Sequence, residues 1–183
     1  DKYFRFDPVV GNWVNVSSFN LMDVGRGYII RAPQNFDTAF AQPYNGIFNG
    51  VPNNGTYTTP IQVSTSIFNL IGNPYPSALS ADLFMSDPAN VSVVDASIYL
   101  WTHNTPITAN QYTSNDYAVY NYMGAVGTSS AFNSGINSYI PNGKIASGQS
   151  FFIKGLSNGN ATFRNSMRLV GNNSQFFRLD EQS

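Results

Sequence analysis

Short runs of apolar and aromatic residues recur along the chain, and clusters of glycine, proline and asparagine separate them. In the run YFRF at 3–6, the two phenylalanines fall on one face of a strand and Tyr3 and Arg5 on the other, because side chains alternate. Runs of this length and composition predict strands. They are expected at 3–6, 13–16, 28–32, 46–48, 55–63, 67–71, 97–102, 117–122, 150–154, 161–164, 167–170 and 175–179.

The sequences between these runs indicate the fold class. The segments DPVVGN, VPNNG, GNPYPS, SNGN and VGNN are rich in the residues that tight turns require. Many short strands with frequent turns predict an all-β fold, a two-sheet β-sandwich or jelly-roll-like domain of about 10–13 short strands. The 183 residues are expected to form a single domain, and they suffice for a hydrophobic core.

One short helix is predicted near 78–85, within SALSADLFMSDP. Leu79 and Leu83 are four residues apart, a spacing that places both, with Phe84 beside them, on one apolar stripe of a helix. Ser77 or Ser80 is expected to cap its first turn, and the proline at 88 prevents its extension.

Two segments of the chain resemble each other and indicate an internal repeat. GRGYIIRAPQNFDTAF, at 25–40, and GQSFFIKGLSNGNATF, at 148–163, share a glycine-bounded apolar run and a phenylalanine nine residues further on. The similarity predicts one hairpin used twice, although a chance match in a chain of biased composition is the alternative.

The stretch NLIGNPYPSA predicts a fixed corner at the end of a strand. Gly72 permits a positive φ, and Asn73 is pushed out of the helical region by the proline that follows it. Pro74 and Pro76 fix their own φ and donate no hydrogen bond. The Tyr75–Pro76 bond is the best candidate in the chain for a cis peptide. A structural elbow is the main interpretation, and a ligand platform built on Tyr75 is the alternative.

Composition and charge exclude several classes of function. Charged residues make up 10 % of the chain, against about 25 % in ordinary soluble domains, and the net charge is −1. No basic face is available for a nucleic acid backbone, so no nucleic acid partner is expected. The absence of cysteine excludes disulfides, thiolate metal sites and cysteine nucleophiles. No apolar run approaches the ~20 residues of a spanning helix, so no membrane insertion is expected.

No catalytic motif is recognisable, and we expect the domain not to be an enzyme. His103 is the single histidine, and no G-x-S-x-G elbow accompanies it. The nine aspartates are scattered, and Glu181 is the single glutamate, so no pair of acids for glycoside hydrolysis stands out. A hydrolase remains the least favoured reading.

Two kinds of binding site have candidate residues. Asp82, Asp87 and Asn90 lie close together in the stretch SADLFMSDPAN and offer oxygen ligands for calcium, although helix capping and turn formation are the main interpretation of these residues. No other cofactor is expected. Flat aromatic rings beside amides suit carbohydrate, and Trp101, Tyr112 and Tyr117 are the candidate stacking residues. Burial of these rings in the core is the main interpretation, and the carbohydrate platform is the alternative.

Six segments together resemble a domain of large secreted proteins of Bacteroidetes, chiefly flavobacteria. They are LMDVGRGYIIRAP, NLIGNPYPSALSADLF, IYLWTHNTPIT, NDYAVYNYMG, PNGKIASGQSFFIKG and NSMRLVGNNSQFFR. In those proteins the similar module lies just before the C-terminal sorting domain of the type IX secretion system. Phe68 stands where that family usually has tryptophan, a change that keeps a large ring in the core.

The resemblance implies an extracellular or cell-surface location and export by the type IX secretion machinery. It implies a non-enzymatic structural or adhesive module, excised from a larger protein, whose partners are the neighbouring domains and surface glycans. Proteins of this kind include adhesins and gliding components. The resemblance also implies O-glycosylation at Thr38, in the sequence DTA, for which an ordinary surface threonine is the alternative. A carbohydrate-binding module is the alternative function.

Overall fold

The computed structural model describes residues 2–31, 35, 50–101, 117–126 and 140–172. The described residues contain thirteen strands and one short α-helix. The elements are β1 (Tyr3–Asp7), β2 (Asn12–Val16), β3 (Ile29–Ile30), β4 (Tyr57–Ile61), β5 (Phe68–Gly72), β6 (Ala78–Ser80), α1 (Ala81–Met85), β7 (Val94–Trp101), β8 (Tyr117–Asn121), β9 (Gly124–Val126), β10 (Lys144–Ile145), β11 (Ser150–Gly155), β12 (Gly159–Phe163) and β13 (Arg168–Leu169). A single 3₁₀ turn lies at Asn165–Met167.

All strand pairs among the described residues are antiparallel, and they form four hydrogen-bonded sheets. The largest has the order β5-β11-β7-β8-β9, and the others are β2-β1-β3, β10-β6-β13 and β12-β4. Sheet neighbours are often distant in sequence, since β11 pairs with β5 on one side and β7 on the other. Long-range pairing of this kind joins the two halves of the chain into one body.

The main core lies on one face of the five-stranded sheet. Alternation places Phe151 and Ile153 of β11 on this face together with Ile98 of β7, and all three are buried. The opposing layer is built from α1, the 3₁₀ turn before β13 and the sheets β12-β4 and β10-β6-β13. These elements contribute buried apolar side chains to the same cluster: Ile61, Leu79, Phe84, Ile145, Phe163 and Met167. The predicted all-β, sandwich-like fold is confirmed.

The other face of the five-stranded sheet carries a second, aromatic layer. Phe152 of β11 points away from the main core, and its ring centroid lies 5.3 Å from that of Phe6 and 5.8 Å from that of Trp13. Both rings belong to the β1–β2 hairpin and approach edge-on, as does Phe68 of β5. The β2-β1-β3 sheet therefore packs against the main sheet through its aromatic residues.

The helix is confirmed near the predicted position, with Ser80 as its N-cap. The Ser80 hydroxyl accepts a hydrogen bond from the Leu83 backbone N–H at 3.3 Å. The predicted apolar stripe is confirmed for Phe84, which is buried in the helix. It is wrong for Leu83, which is 48 % exposed, and for Leu79, which lies in β6, before the helix begins. β6 stays extended because it pairs with both β10 and β13.

The corner at 72–76 is structural, as the main interpretation expected, but two of its details differ. No cis peptide occurs among the described residues, so the Tyr75–Pro76 bond is trans. Gly72 does not adopt a positive φ. A Cβ at Gly72 would instead meet the Arg26 carbonyl oxygen at 3.2 Å, so close backbone approach explains the glycine.

Side chains within the corner bind it to distant parts of the fold. The Asn73 side-chain N–H groups donate to the carbonyl oxygens of Ser77 and Ala146 at 2.8 and 3.1 Å. The Tyr75 hydroxyl donates to the Gly55 carbonyl oxygen at 2.7 Å, and its ring is only 2 % exposed. Burial of Tyr75 removes the alternative in which this ring is a ligand platform.

The hairpin repeat is wrong for its second copy. β11 and β12 belong to different sheets, and β12 pairs with β4, so the two do not form a hairpin. Phe163 does end β12 as a buried core residue, as the repeat predicted. Most of the return half of the first copy lies outside the described residues, as do the strands predicted at 46–48 and 175–179.

Candidate functional site

Two of the three predicted stacking residues are direct neighbours in the structure. Trp101 ends β7 and Tyr117 begins β8, and they face each other in the antiparallel register. Directly opposite residues project from the same side of a sheet, about 5 Å apart at Cβ. Trp101 is 39 % exposed, so the pair presents an aromatic surface on the side of the sheet away from the main core.

Tyr117 connects this surface to the aromatic layer. Its ring centroid lies 5.8 Å from that of Phe152, with an interplanar angle of 76°. Phe152 is 7 % exposed and holds Tyr117 in an edge-on contact. The exposed ring of Trp101 is thus attached to a packed support.

Three predicted residues lie outside the described part of the chain. They are Tyr112, the third stacking candidate; Thr38, the candidate for O-glycosylation; and His103, the single histidine. Their roles stay predictions.

Asp82, the first candidate calcium ligand, binds helix α1 to β8. Its carboxylate accepts a hydrogen bond from the Tyr120 hydroxyl at 2.9 Å, and its backbone carbonyl oxygen accepts one from the Tyr122 hydroxyl. Burial, reinforced by the hydrogen bond to the Asp82 carboxylate, raises the pKa of Tyr120 to about 12. The phenol is therefore a hydrogen-bond donor at neutral pH.

Asp87, the second candidate, forms an ion pair with Arg164. The Asp87 Oδ2 atom lies 2.7 Å from the Arg164 Nε atom, and the Ala89 backbone N–H donates to Oδ1 at 2.9 Å. The guanidinium hydrogen bond lowers the pKa of Asp87, with a smaller contribution from the Ala89 N–H, while burial opposes the shift. The carboxylate stays ionised well into the acidic range.

Asn90, the third candidate, is fully buried and uses both ends of its amide. Its Nδ2 atom donates to the carbonyl oxygens of Phe84 at 2.8 Å and Thr162 at 2.9 Å. Its Oδ1 atom accepts from the Thr162 backbone N–H at 2.7 Å. The side chain therefore joins the end of α1 to β12.

Comparison with known proteins gives a family but no function. A family model for a domain of unknown function, DUF8693, matches residues 1–183. The chain belongs to this family. A comparison with curated proteins finds no match, and neither does a comparison with solved structures.

The calcium candidates of this DUF8693 domain all have protein partners. A cation near Asp87 would compete with Arg164, and one at the Asn90 oxygen would displace the Thr162 N–H. Within the described ranges, no group of three or more histidine, aspartate or glutamate side chains is placed to hold a metal ion. These contacts favour the architectural explanation of the two side chains, and calcium stays a prediction.

A cavity of about 400 Å³ opens beside the end of α1. Met85 and Val94 of the core form part of its lining, and Tyr122, which is 49 % exposed, stands on another side. A volume of this size accommodates a small ligand. The cavity is a second place, separate from Trp101 and Tyr117, where a ligand ring could contact an aromatic side chain.

The DUF8693 domain also contains one buried asparagine, Asn69, that the sequence pattern did not single out. Asn69 is 3 % exposed and pairs with the backbone of Gln62 at both ends of its amide, with distances of 2.9 Å in each direction. Asn69 interrupts an apolar run, FNLIG, and that is the one signal in the sequence that it is buried.

None of the helices in the described residues has the length and hydropathy to cross a membrane.

Proposed function

We propose that this domain is a non-enzymatic structural and adhesive module of a large cell-surface or secreted bacterial protein, exported by the type IX secretion system. The structural role is supported by the hydrogen bonds that three buried asparagine side chains make. Asn69, Asn73 and Asn90 each bind backbone groups of the domain itself. Their polarity serves to fix loops to strands, which suits a rigid unit.

The composition of the chain supports an adhesive role. With 10 % charged residues and 23 asparagines, the polar side chains of the domain are mostly amides and hydroxyls rather than charged groups. Hydrogen bonds from such groups are screened little by salt, unlike contacts between exposed charges. The resemblance of six segments to a module of exported Bacteroidetes proteins supports the location and the export route.

Localisation on intact bacteria tests the proposal. We expect an antibody raised against the purified domain to label unpermeabilised cells of the source bacterium or to detect the parent protein in its medium. Labelling should disappear when a component of the type IX secretion machinery is inactivated. Exclusive detection inside cells would contradict the proposal, and an antibody against a cytoplasmic protein serves as the control for lysis.

A second candidate function is carbohydrate binding, and the Trp101–Tyr117 pair favours it. Sugar rings stack their apolar face on flat aromatic side chains, and Trp101 is exposed beside a ring supported by Phe152. The neutral amide-rich surface offers donors and acceptors for hydroxyl groups.

Glycan-array screening with matched variants tests this second candidate. We expect a glycan bound by the wild type to be lost, by about tenfold or more in affinity, in Trp101→Ala and Tyr117→Ala. Tyr122→Ala is the matched control, since it removes an exposed ring at the cavity instead. Loss of glycan binding in Tyr122→Ala alone would assign the binding site to the cavity. An array without any bound glycan would reject carbohydrate binding.

A further inference from the structure

The loop at 17–24, which follows β2, exposes apolar side chains to solvent. Phe19 is 95 % exposed, Leu21 is 94 % exposed and Met22 is 55 % exposed. Single exposed apolar residues are common on protein surfaces, but three within four positions of one loop form a patch. Such a patch indicates a contact surface.

Hydrogen bonds of the loop hold it in this form. The Asn20 N–H donates to the Ser17 carbonyl oxygen at 3.1 Å, and the Phe19 N–H donates to the Ser17 hydroxyl at 3.3 Å. At the other end, the Asp23 N–H donates to the Tyr28 hydroxyl at 2.9 Å. Two of these bonds close the loop on itself and the third joins it to Tyr28, while its large apolar side chains face water.

Two exposed cations lie at the end of the sheet from which this loop departs. Tyr3 pairs with Val16, so Lys2 lies beside the start of the loop. The Arg31 N–H donates to the Lys2 carbonyl oxygen at 2.9 Å, which places Arg31 at the same end. Neither side chain forms an ion pair with a described residue.

The other charges in this part of the fold are neutralised in pairs. Arg5 binds Asp7 at 3.0 Å, and Arg26 binds Asp23 at 3.1 Å. Lys2 and Arg31 therefore leave an excess of two positive charges next to the apolar patch, as far as the described residues are concerned.

We propose that the loop at 17–24, together with Lys2 and Arg31, docks the domain on an anionic phospholipid bilayer. The side chains of Phe19 and Leu21 enter the interfacial region, and the two cations contact lipid phosphates. Exposed aromatic and aliphatic side chains combined with basic residues are what peripheral attachment to such a surface requires. This contact is peripheral and differs from the spanning helix that the sequence analysis excluded.

Charge favours the bilayer over a second copy of this chain. A two-fold contact through the same patch would bring Lys2 and Arg31 of one copy toward those of the other, and like charges repel. An anionic surface has the complementary sign. The inference does not depend on the proposed function, because lipid binding by the purified domain is measured without reference to the protein that contains it.

Vesicle co-sedimentation tests the inference. The purified domain is mixed with vesicles of phosphatidylglycerol and phosphatidylcholine in about equal amounts, or of phosphatidylcholine alone. We expect binding to the anionic vesicles and much weaker binding to the neutral ones. The affinity for anionic vesicles should fall several-fold when NaCl rises from about 0.05 M to about 0.5 M.

Matched variants locate the surface. Phe19→Ser with Leu21→Ser is expected to weaken binding by about tenfold or more, and Lys2→Gln with Arg31→Gln by several-fold. Met123→Ser is the control, because Met123 is 96 % exposed in the β8–β9 turn and should leave binding unchanged. All variants are checked for an unchanged melting temperature.

Two outcomes would overturn the inference. One is the absence of binding to anionic vesicles at low salt, or binding that the loop variants leave intact. The other is self-association: a dimer in light scattering that Phe19→Ser with Leu21→Ser abolishes would assign the patch to a second copy of the chain.

Discussion

Asn90 pairs with the backbone of Thr162 through both ends of its side-chain amide, at 2.9 Å for the donated bond and 2.7 Å for the accepted one. The amide thereby imitates a neighbouring strand on the edge of β12 that faces away from its partner strand β4. Asn69 forms the same two-bond pair with Gln62. Buried polar groups in this domain therefore complete its backbone hydrogen bonding.

Replacing Asn90 with alanine should strongly destabilise the domain. The change leaves the N–H and the carbonyl oxygen of Thr162 without the Asn90 amide in a buried place, and it removes the shorter bond to the Phe84 carbonyl oxygen. We expect a loss of about 3–5 kcal/mol in the free energy of unfolding, measured by urea denaturation. Asn160→Ala, at an exposed position of the same strand, should change it by less than about 0.5 kcal/mol. Equal effects of the two variants would contradict the structural role of Asn90.

Phe152→Ala should detach the β1–β2 hairpin from the main sheet. The ring contacts Phe6, Trp13 and Tyr117, and truncation of such a ring costs about 3–5 kcal/mol. In a Trp101→Phe background, Trp13 is the sole tryptophan, so its fluorescence reports on this interface. We expect a red shift and stronger quenching by acrylamide. An unchanged Trp13 spectrum would show that the hairpin does not rely on Phe152.

Tyr120→Phe should destabilise the domain at neutral pH and much less at alkaline pH. The pKa of Tyr120 is raised to about 12 in the folded state, against about 10 for a free tyrosine. Above about pH 10 the unfolded state loses this proton first, so the wild type loses stability between about pH 10 and pH 12. We expect the free energies of unfolding of the wild type and Tyr120→Phe to differ by about 1 kcal/mol at pH 7, and this difference to narrow between about pH 10 and pH 12. Urea denaturation at a series of pH values measures this difference. A difference that stays constant with pH would show that deprotonation of Tyr120 does not affect stability.

Asp87→Asn should remove part of the stability at neutral pH and make no difference in strong acid. The hydrogen bond from Arg164 lowers the folded pKa of Asp87, so its contribution is present above the unfolded pKa of about 4 and is lost as the pH falls through the folded value. We expect the urea midpoints of wild type and variant to differ at pH 7 and to converge near pH 2. A gap that persists at pH 2 would contradict this role of the ion pair.

The sequence predicted those features that depend on local pattern. The strand at 150–154 was predicted from its aromatic and β-branched residues and is β11, which lies between β5 and β7 in the main sheet. The corner was predicted from Pro74 and Pro76, whose φ values are fixed by their own rings. Ser77 or Ser80 was predicted as the cap because such a hydroxyl acts within one turn of chain, and the structure has Ser80 in this role.

Features that depend on distant segments were not predictable. Leu79 lies in a strand because β10 and β13 pair with it from more than sixty residues away. The partners of the Asn73 and Asn90 amides, at Ala146 and Thr162, are equally remote in sequence. A one-dimensional pattern identifies residues that suit a buried or exposed position but not the backbone groups that they meet. The neighbouring positions of Trp101 and Tyr117 likewise follow from the register of β7 and β8.

Deletion of residues 1–183 from the parent protein of the source bacterium tests the proposed role most directly. Attachment of the cells to a surface is measured under flow, with the amount of parent protein at the surface checked by an antibody to another part of it. We expect the deletion to reduce attachment severalfold while surface display persists, and an unrelated β-sandwich domain of similar length in its place not to restore it. Unchanged attachment, or full restoration by the unrelated domain, would contradict the adhesive role.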